Sequence, residues 1–136
     1  MSFVLDNSVA LAWCFADEQT PELMALLDRV VEAGAVAPAL WSLEAQNGLL
    51  MAERRRRLDA AARAELAQLL RDLPISLDTE TAEQAWSATA RLAERYALSV
   101  YDAAYLELAQ RRQLPLATTD RALRSAAAAS NVPLLP

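Results

Sequence analysis

The stretch Phe3-Val4-Leu5-Asp6-Asn7-Ser8 begins with a short apolar run over residues 3–5, which is typical of a buried strand. The carboxylate Asp6 follows this run directly. Similar runs recur along the chain, and each of the first four is followed by a helical pattern. The predicted strands are residues 3–5, 35–37, 75–77, 116–118 and 132–134. Strands that alternate with helices predict a mostly parallel five-stranded sheet covered on both faces, which is a three-layer α/β/α sandwich.

The helical segments carry start and stop signals. Thr20-Pro21-Glu22 has the cap, the proline and the acidic first turn of a helix start, and Gly34 is a natural stop. Further helices are predicted over residues 40–57, 59–73, 82–96, 101–112 and 120–129. Asp59 is the expected N-cap of the second of these. Since no linker or change in composition interrupts the pattern, we interpret residues 1–136 as one domain.

Missing residue types exclude several classes of chemistry. The chain has no His and no Lys, a single Cys, and only two Gly. His-dependent catalytic triads, His-ligated metals and Schiff-base chemistry are therefore excluded. One Cys forms neither an internal disulfide nor a thiolate zinc site, and two separated glycines form no phosphate-binding glycine loop. Any catalysis therefore depends on carboxylates, hydroxyls and Arg, and a bound metal ion is the favoured cofactor.

The charge balance bears on partners and location. A formal net charge of −5 argues against nucleic-acid binding by overall charge alone, although local Arg patches or a metal can still bring phosphate to the protein. Asp6 interrupts the first apolar stretch and no basic segment precedes it, so no signal peptide is predicted. The longest uncharged run, residues 125–136, is too short to span a bilayer. We expect a cytoplasmic protein without a membrane partner.

Four carboxylates lie near strand ends or helix starts. They are Asp6, Glu44, Asp102 and Asp120. Each of the three Asp residues also fits the simpler role of a helix N-terminal residue, and Ser99-x-x-Asp102 approximates a capping box. Taken alone, Glu44 is interpreted as a solvated helix residue. However, Glu44 and Asn47 share one face of a helix with apolar neighbours, and a core has no need for such a polar patch.

Taken together, the four carboxylates predict a metal site. If the strand order is 3-2-1-4-5, Asp6 and Asp120 face one crevice at the point where the winding reverses, which is where ligands bind in such sheets. Two carboxylates about 4 Å apart repel by roughly 4 kcal/mol at an effective dielectric near 20. A divalent cation removes that cost, and a set of oxygen ligands selects Mg²⁺ or Mn²⁺.

The order of these motifs resembles the PIN-domain ribonucleases of the VapC toxin type. The matching segments are Val4-Leu5-Asp6-Asn7-Ser8 with the following Val9-Ala10-Leu11-Ala12-Trp13, Ala37-Pro38 then Glu44-x-x-Asn47-x-Leu49, Tyr101-Asp102-Ala103-x-Tyr105-x-x-Leu108-Ala109, and Leu116-Ala117-Thr118-Thr119-Asp120-x-x-Leu123. They span residues 3–123 in the expected order, and the chain length also fits. Any one motif is weak, whereas four in the same order are specific.

The resemblance implies a function and its residues. Asp6, Glu44, Asp102 and Asp120 would form an acidic quartet, in which Asp6 and Asp102 ligate the metal most directly. Ser8 and Thr118 would support it through their hydroxyls, and Asn47 is a further candidate. Members of this family hydrolyse RNA with Mg²⁺ or Mn²⁺, usually form homodimers, and are inhibited by a small VapB-like antitoxin. The Ala- and Leu-rich helices over residues 40–73 are the expected apolar patch for a dimer.

Several arginines are candidates for contact with RNA. Arg54-Arg55-Arg56-Arg57 is the strongest charge run, and it is interpreted either as a solvated helix end or as a contact for RNA or antitoxin. Arg121 and Arg124 follow Asp120 and are candidates for phosphate contact, with a simple surface role as the alternative.

Two other functions remain open from the sequence. One is a catalytically inert PIN-like scaffold that binds a partner or forms a dimer. The other is a phosphatase-like or receiver-like acidic-cluster domain, although such domains normally need a Lys that this chain lacks. A metal-dependent rise in thermal stability separates the nuclease from the inert scaffold.

Overall fold

The computed structural model describes residues 2–136 and contains one parallel five-stranded sheet. Its strands are β1 (Val4–Leu5), β2 (Ala35–Pro38), β3 (Ile75–Asp78), β4 (Leu116–Ala117) and β5 (Leu134–Leu135). The strand order is β3-β2-β1-β4-β5, which is the order assumed in the sequence analysis, and every pairing is parallel. The three-layer α/β/α arrangement is thereby confirmed.

Eight helices and one 3-10 turn connect the strands of the described residues. The helices are α1 (Asn7–Ala12), α2 (Pro21–Ala33), α3 (Trp41–Arg54), α4 (Ala60–Asp72), α5 (Thr81–Gln84), α6 (Ala88–Tyr96), α7 (Val100–Arg112) and α8 (Arg121–Ala129), and the 3-10 turn is Ala16–Glu18. Within this part of the chain, no helix combines the length and the apolar character needed to cross a membrane.

The predicted caps form as expected. Thr20 Oγ1 accepts a hydrogen bond from the Leu23 amide, and an Asp59 carboxylate oxygen accepts one from Ala62. Helix α2 ends at Gly34, whose φ of 80° lies in the left-handed region. A side chain there would be strained by its backbone, and its Cβ would lie 2.9 Å from the Pro74 carbonyl oxygen. Glycine is therefore required at this turn into β2.

Three boundaries differ from the sequence prediction. Helix α3 ends at Arg54 instead of residue 57, because the chain turns there through a left-handed residue at Arg56. The single helix predicted over residues 82–96 is two helices, α5 and α6, separated by a turn. Trp86 lies in that turn and is 89% exposed. Its spacing fits the apolar pattern of the predicted helix, but its side chain is not buried. The last strand begins at Leu134, two residues later than expected.

The centre of the sheet determines where the functional side chains lie. Phe3, Val4 and Leu5 are fully buried, and β1 pairs with β2 on one side and with β4 on the other. The carboxyl ends of β1 and β4 therefore lie next to each other, with Asp6 following one and Thr118 following the other. The winding reverses between these two strands, and this crevice is where parallel sheets bind ligands.

Helix α3 packs closely against α1. Gly48 has no side chain, and Leu11 of α1 occupies the space that a side chain would take. A Cβ at residue 48 would lie 2.5 Å from Leu11 Cδ1. This close approach brings the first turn of α3, which carries Glu44, towards the carboxyl end of β1.

Candidate active site

Asp6 is the most buried acidic side chain of the crevice, with 4% of its surface exposed. It is the N-cap of α1 and accepts a hydrogen bond from the Ser8 amide at 3.3 Å. The capping role considered from the sequence is therefore real. However, capping accounts for only one of the bonds that Asp6 accepts, because two hydroxyl groups also donate to its Oδ2 atom.

Ser8 and Thr118 fix the orientation of the Asp6 carboxylate. Ser8 Oγ donates to Asp6 Oδ2 at 2.5 Å, and Thr118 Oγ1 donates to the same oxygen at 2.8 Å. Each hydroxyl oxygen in turn accepts a backbone amide from the segment after β4, namely Thr119 for Ser8 and Asp120 for Thr118. Within residues 2–136 no hydrogen bond goes to Asp6 Oδ1. That oxygen is left to contact another group.

The charge of Asp6 has no cationic partner within residues 2–136. Burial raises the pKa of the Asp6 carboxyl, the Ser8 and Thr118 hydrogen bonds lower it, and the charge of Asp120 raises it further. Asp78 is equally buried, but it forms ion pairs with Arg111 at 2.5 Å and Arg112 at 3.0 Å. Among the described residues, no Arg forms an ion pair with Asp6 or with the other three candidate acids.

Asp102 lies in the first turn of α7, but it is not the cap of that helix. Ser99 is the N-cap, and its Oγ accepts the Asp102 amide at 3.0 Å. The Asp102 side chain is half-buried, and it does not cap the helix because Ser99 does. Burial raises its pKa, and the charges of Asp6 and Asp120 raise it further. This coupling indicates that the three Asp carboxylates lie near the same crevice.

Glu44 is half-buried and is held by Tyr105, which corrects its interpretation as a solvated residue. The Tyr105 hydroxyl donates to Glu44 Oε1 at 2.6 Å, and Tyr105 itself is fully buried. Burial raises the pKa of Glu44, the Tyr105 hydrogen bond lowers it, and the charges of Asp6 and Asp102 raise it. Tyr105 is thus a positioning residue that the sequence analysis had not assigned to the site.

Asp120 is close to the other acids, yet one of its oxygens is already used. It is the N-cap of α8, and its Oδ2 accepts the Leu123 amide at 2.9 Å. Burial is the main cause of the raised pKa values of Asp6 and Asp102, and the charge of Asp120 adds to both shifts. A single free oxygen therefore remains for any ligand.

The supporting candidates differ in outcome. Ser8 and Thr118 contact Asp6 as described above. Asn47 is exposed on α3, and its side chain makes no hydrogen bond within the described residues. Arg124 donates to the carbonyl oxygens of Thr118 and Pro136, so it braces the ends of β4 and β5. Arg121 is exposed. Leu43, one of the apolar residues next to Glu44 in the sequence, is 77% exposed.

A ready-made metal cage is absent from the described residues. Within residues 2–136, no three acidic or Cys side chains converge closely enough to hold an ion. The donor set nevertheless suits Mg²⁺ or Mn²⁺. Mg²⁺ is usually held by one or two carboxylates and keeps several waters, so three converging carboxylates are not needed. Asp6 Oδ1 is available, and the next residue in the chain, Asn7, has a buried Oδ1 without a hydrogen-bond partner among the described residues.

Comparison with known families identifies the fold. Residues 3–129 match the PIN domain family. The chain belongs to this family. The match covers most of the chain and includes all four candidate acids, and it confirms the resemblance seen in the sequence motifs. PIN domains are generally nucleases.

Solved structures of two other proteins are similar in fold. PAE2754 from Pyrobaculum aerophilum has a TM-score of 0.68 and 24% identity over 93% of this chain and 84% of that one. FitAcB from Neisseria gonorrhoeae has a TM-score of 0.68 and 18% identity over 100% of this chain and 97% of that one. No curated protein sequence matches this PIN domain significantly.

Proposed function

We propose that this PIN domain is a metal-dependent endoribonuclease, of the VapC toxin type, that hydrolyses RNA phosphodiester bonds. One observation carries the proposal. Asp6 is a buried carboxylate whose Oδ2 is fixed by two hydroxyls, whose Oδ1 is uncommitted, and which has no cationic partner in the described chain. The buried carboxylate of Asp78 has two arginines as counter-charges, whereas Asp6 has none among the described residues and is therefore available to bind a cation.

Asp6 Oδ1 and Asp102 are the groups that we propose to hold Mg²⁺ or Mn²⁺, with Asp120 and Glu44 acting directly or through water. When bound, such an ion holds the phosphate, lowers the pKa of a water and stabilises the leaving oxygen. Ser8 and Thr118 keep Asp6 in one orientation before the ion arrives. We propose that Glu44, whose Oε1 accepts the Tyr105 hydrogen bond, completes the metal ligation or positions the attacking water.

The partners follow from the proposed toxin role. We propose an RNA substrate, a small VapB-like antitoxin and a homodimer, all for a single domain over residues 1–136 in the cytoplasm. A groove of about 520 Å³ between α3, α4 and β3, lined by both apolar and polar side chains, is consistent with the proposed dimer contact over residues 40–73. Trp41 lines this groove, and its buried indole N–H has no acceptor in the described residues.

An inert PIN-like scaffold is the second candidate. One observation favours it, because no three carboxylates of residues 2–136 converge as a metal cage. The inert scaffold predicts that divalent ions do not bind and do not change the thermal stability of the protein. The phosphatase-like alternative has no support beyond its acidic residues, since the family match is to PIN domains.

Asp102→Asn tests the proposed function. We expect it to lower Mn²⁺- or Mg²⁺-dependent cleavage of both linear and structured RNA by about a hundredfold, since even the partners of metal ligands contribute 10- to 100-fold. EDTA should abolish cleavage by the parent protein. The matched control is Asp28→Asn, which makes the same chemical change on the exposed face of α2. Parent-level cleavage by Asp102→Asn would show that the site assignment is wrong.

A further inference from the structure

The arginine run lies in the turn between α3 and α4. Arg54 is the last residue of α3, and Arg56 has a left-handed φ of 62°. The turn is closed by backbone bonds from Arg56 to Glu53 and from Arg57 to Ala52. The run therefore projects from a turn instead of winding around a helix, and all four arginines are exposed.

Arg57 differs from the other three because it is fully engaged. Its guanidinium forms ion pairs with Asp17 at 2.8 Å and Glu18 at 2.9 Å, and lies 4.1 Å from the centre of the Phe15 ring. These contacts connect the turn between α3 and α4 to the 3-10 turn at Ala16–Glu18. Arg57 therefore fixes the position of the turn that carries the neighbouring arginines.

The acidic residues around the turn are already committed elsewhere. Glu53 pairs with Arg63, and Asp59 caps α4 through the Ala62 amide at 2.8 Å. Asp17 and Glu18 pair with Arg57. Within residues 2–136, the side chains of Arg54, Arg55 and Arg56 consequently have no hydrogen bond or ion pair. Three adjacent cations without counter-charges stand out in a chain with a net charge of −5.

We propose that Arg54, Arg55 and Arg56 form a contact surface for the phosphate backbone of the RNA substrate. This inference rests on the proposed ribonuclease function. Arg54 is ten residues beyond Glu44 on the same helix, which places it about 15 Å along the axis from that candidate acid. A single strand held in the crevice reaches this turn within a few nucleotides. The guanidinium group, with its forked donors, is well suited to phosphate oxygens.

The arginine surface predicts a specific dependence on salt. Each phosphate contact with single-stranded nucleic acid contributes about 0.7 to the slope of log affinity against log salt concentration. Three contacts therefore contribute about 2 to that slope. A structural role for the same arginines would instead change the melting temperature and leave the slope unaltered.

The test compares two triple variants that remove the same charge. Arg54→Gln, Arg55→Gln and Arg56→Gln are combined in one protein, and Arg71→Gln, Arg91→Gln and Arg95→Gln in the control, at exposed positions on α4 and α6. The probe is a fluorescently labelled single-stranded 15-mer RNA in EDTA, measured by anisotropy across a sodium chloride series. We expect the first variant to bind about tenfold more weakly or worse at low salt, with the slope reduced by about 2.

Further outcomes separate this surface from the nuclease proposal. The corresponding triple Arg→Lys variant keeps the charge and should retain most of the slope. The proposed RNA contact would be wrong if the salt slope of the Arg54–Arg56 Gln variant were unchanged, or if the control variant lost as much RNA affinity. These arginines would then be assigned to contact with a protein partner. Another outcome is a parent protein that binds RNA without cleaving it. If it never cleaves RNA but the salt slope of RNA binding falls only in the Arg54–Arg56 variant, the RNA contact is supported and the nuclease proposal is wrong. Melting curves of every variant confirm that the folds are intact.

Discussion

Asp6→Asn should lower RNA cleavage by more than about a hundredfold while raising the melting temperature of the metal-free protein. Asparagine keeps an oxygen that can accept the Ser8 and Thr118 hydrogen bonds. It removes a buried negative charge that has no cationic partner in the described residues and that is repelled by Asp120. Loss of a buried uncompensated charge stabilises the fold, and we expect a gain of about 1 kcal/mol.

The opposite signs of these two effects make the Asp6 test informative. Cleavage is measured with Mn²⁺, and unfolding is measured by urea titration in EDTA, with Asp28→Asn as the control for a lost surface charge. A purely structural cap would leave both cleavage and stability nearly unchanged, because Asn caps a helix about as well as Asp. Lower stability in EDTA together with normal cleavage would contradict the proposed role of Asp6.

Asp78→Asn should destabilise the protein by about 2 kcal/mol. The Asp78 side chain is buried and forms ion pairs with Arg111 and Arg112. Removing one partner of a fully buried pair costs about 3–5 kcal/mol. We expect less here, because Arg111 keeps its ion pairs with Glu107 and Glu80, and Arg112 is partly exposed.

The stabilisation by Asp78 should depend on pH in a defined direction. Burial raises the pKa of this carboxyl, but the hydrogen bonds and charge of its arginines outweigh burial and hold the pKa below its ordinary value of 3.8. A lowered pKa gives stabilisation that is present above the ordinary value and is lost as the pH falls through the folded-state value. Urea titrations of parent and variant should therefore differ at pH 7 and begin to converge only below the ordinary value of 3.8. A difference that grows on acidification would contradict this account.

Much of the fold follows from local pattern. Apolar runs bounded by helix signals predict the strands, and the alternation of strands and helices predicts a parallel sheet whose central strand ends at Asp6. The caps at Thr20 and Asp59 also follow from local chemistry, because a cap needs only the backbone amides that come next in the chain. The four acids could be selected for the same reason, since each lies beside a strand end or a helix start.

Contacts between distant segments could not be predicted in the same way. Tyr105 and Glu44 are 61 residues apart, and nothing in either local sequence indicates that a hydroxyl will meet that carboxylate. Asp78 and Arg111 are 33 residues apart, and their pairing depends on where α7 crosses the end of β3. The break between α5 and α6 also escaped prediction, because an exposed Trp86 fits an apolar period as well as a buried one does.

Binding of Mn²⁺ is the most direct test of the claim that Asp6 and its acidic neighbours share a cation. The measurement is calorimetric unfolding of the parent protein and Asp6→Asn across a Mn²⁺ series, after removal of all metal. An ion that binds only the folded state adds about 2.7 kcal/mol at a hundred times its dissociation constant. We predict that the melting temperature of the parent rises with Mn²⁺ and that Asp6→Asn does not respond. Equal responses of the two proteins, or none from either, would contradict a cation site at Asp6.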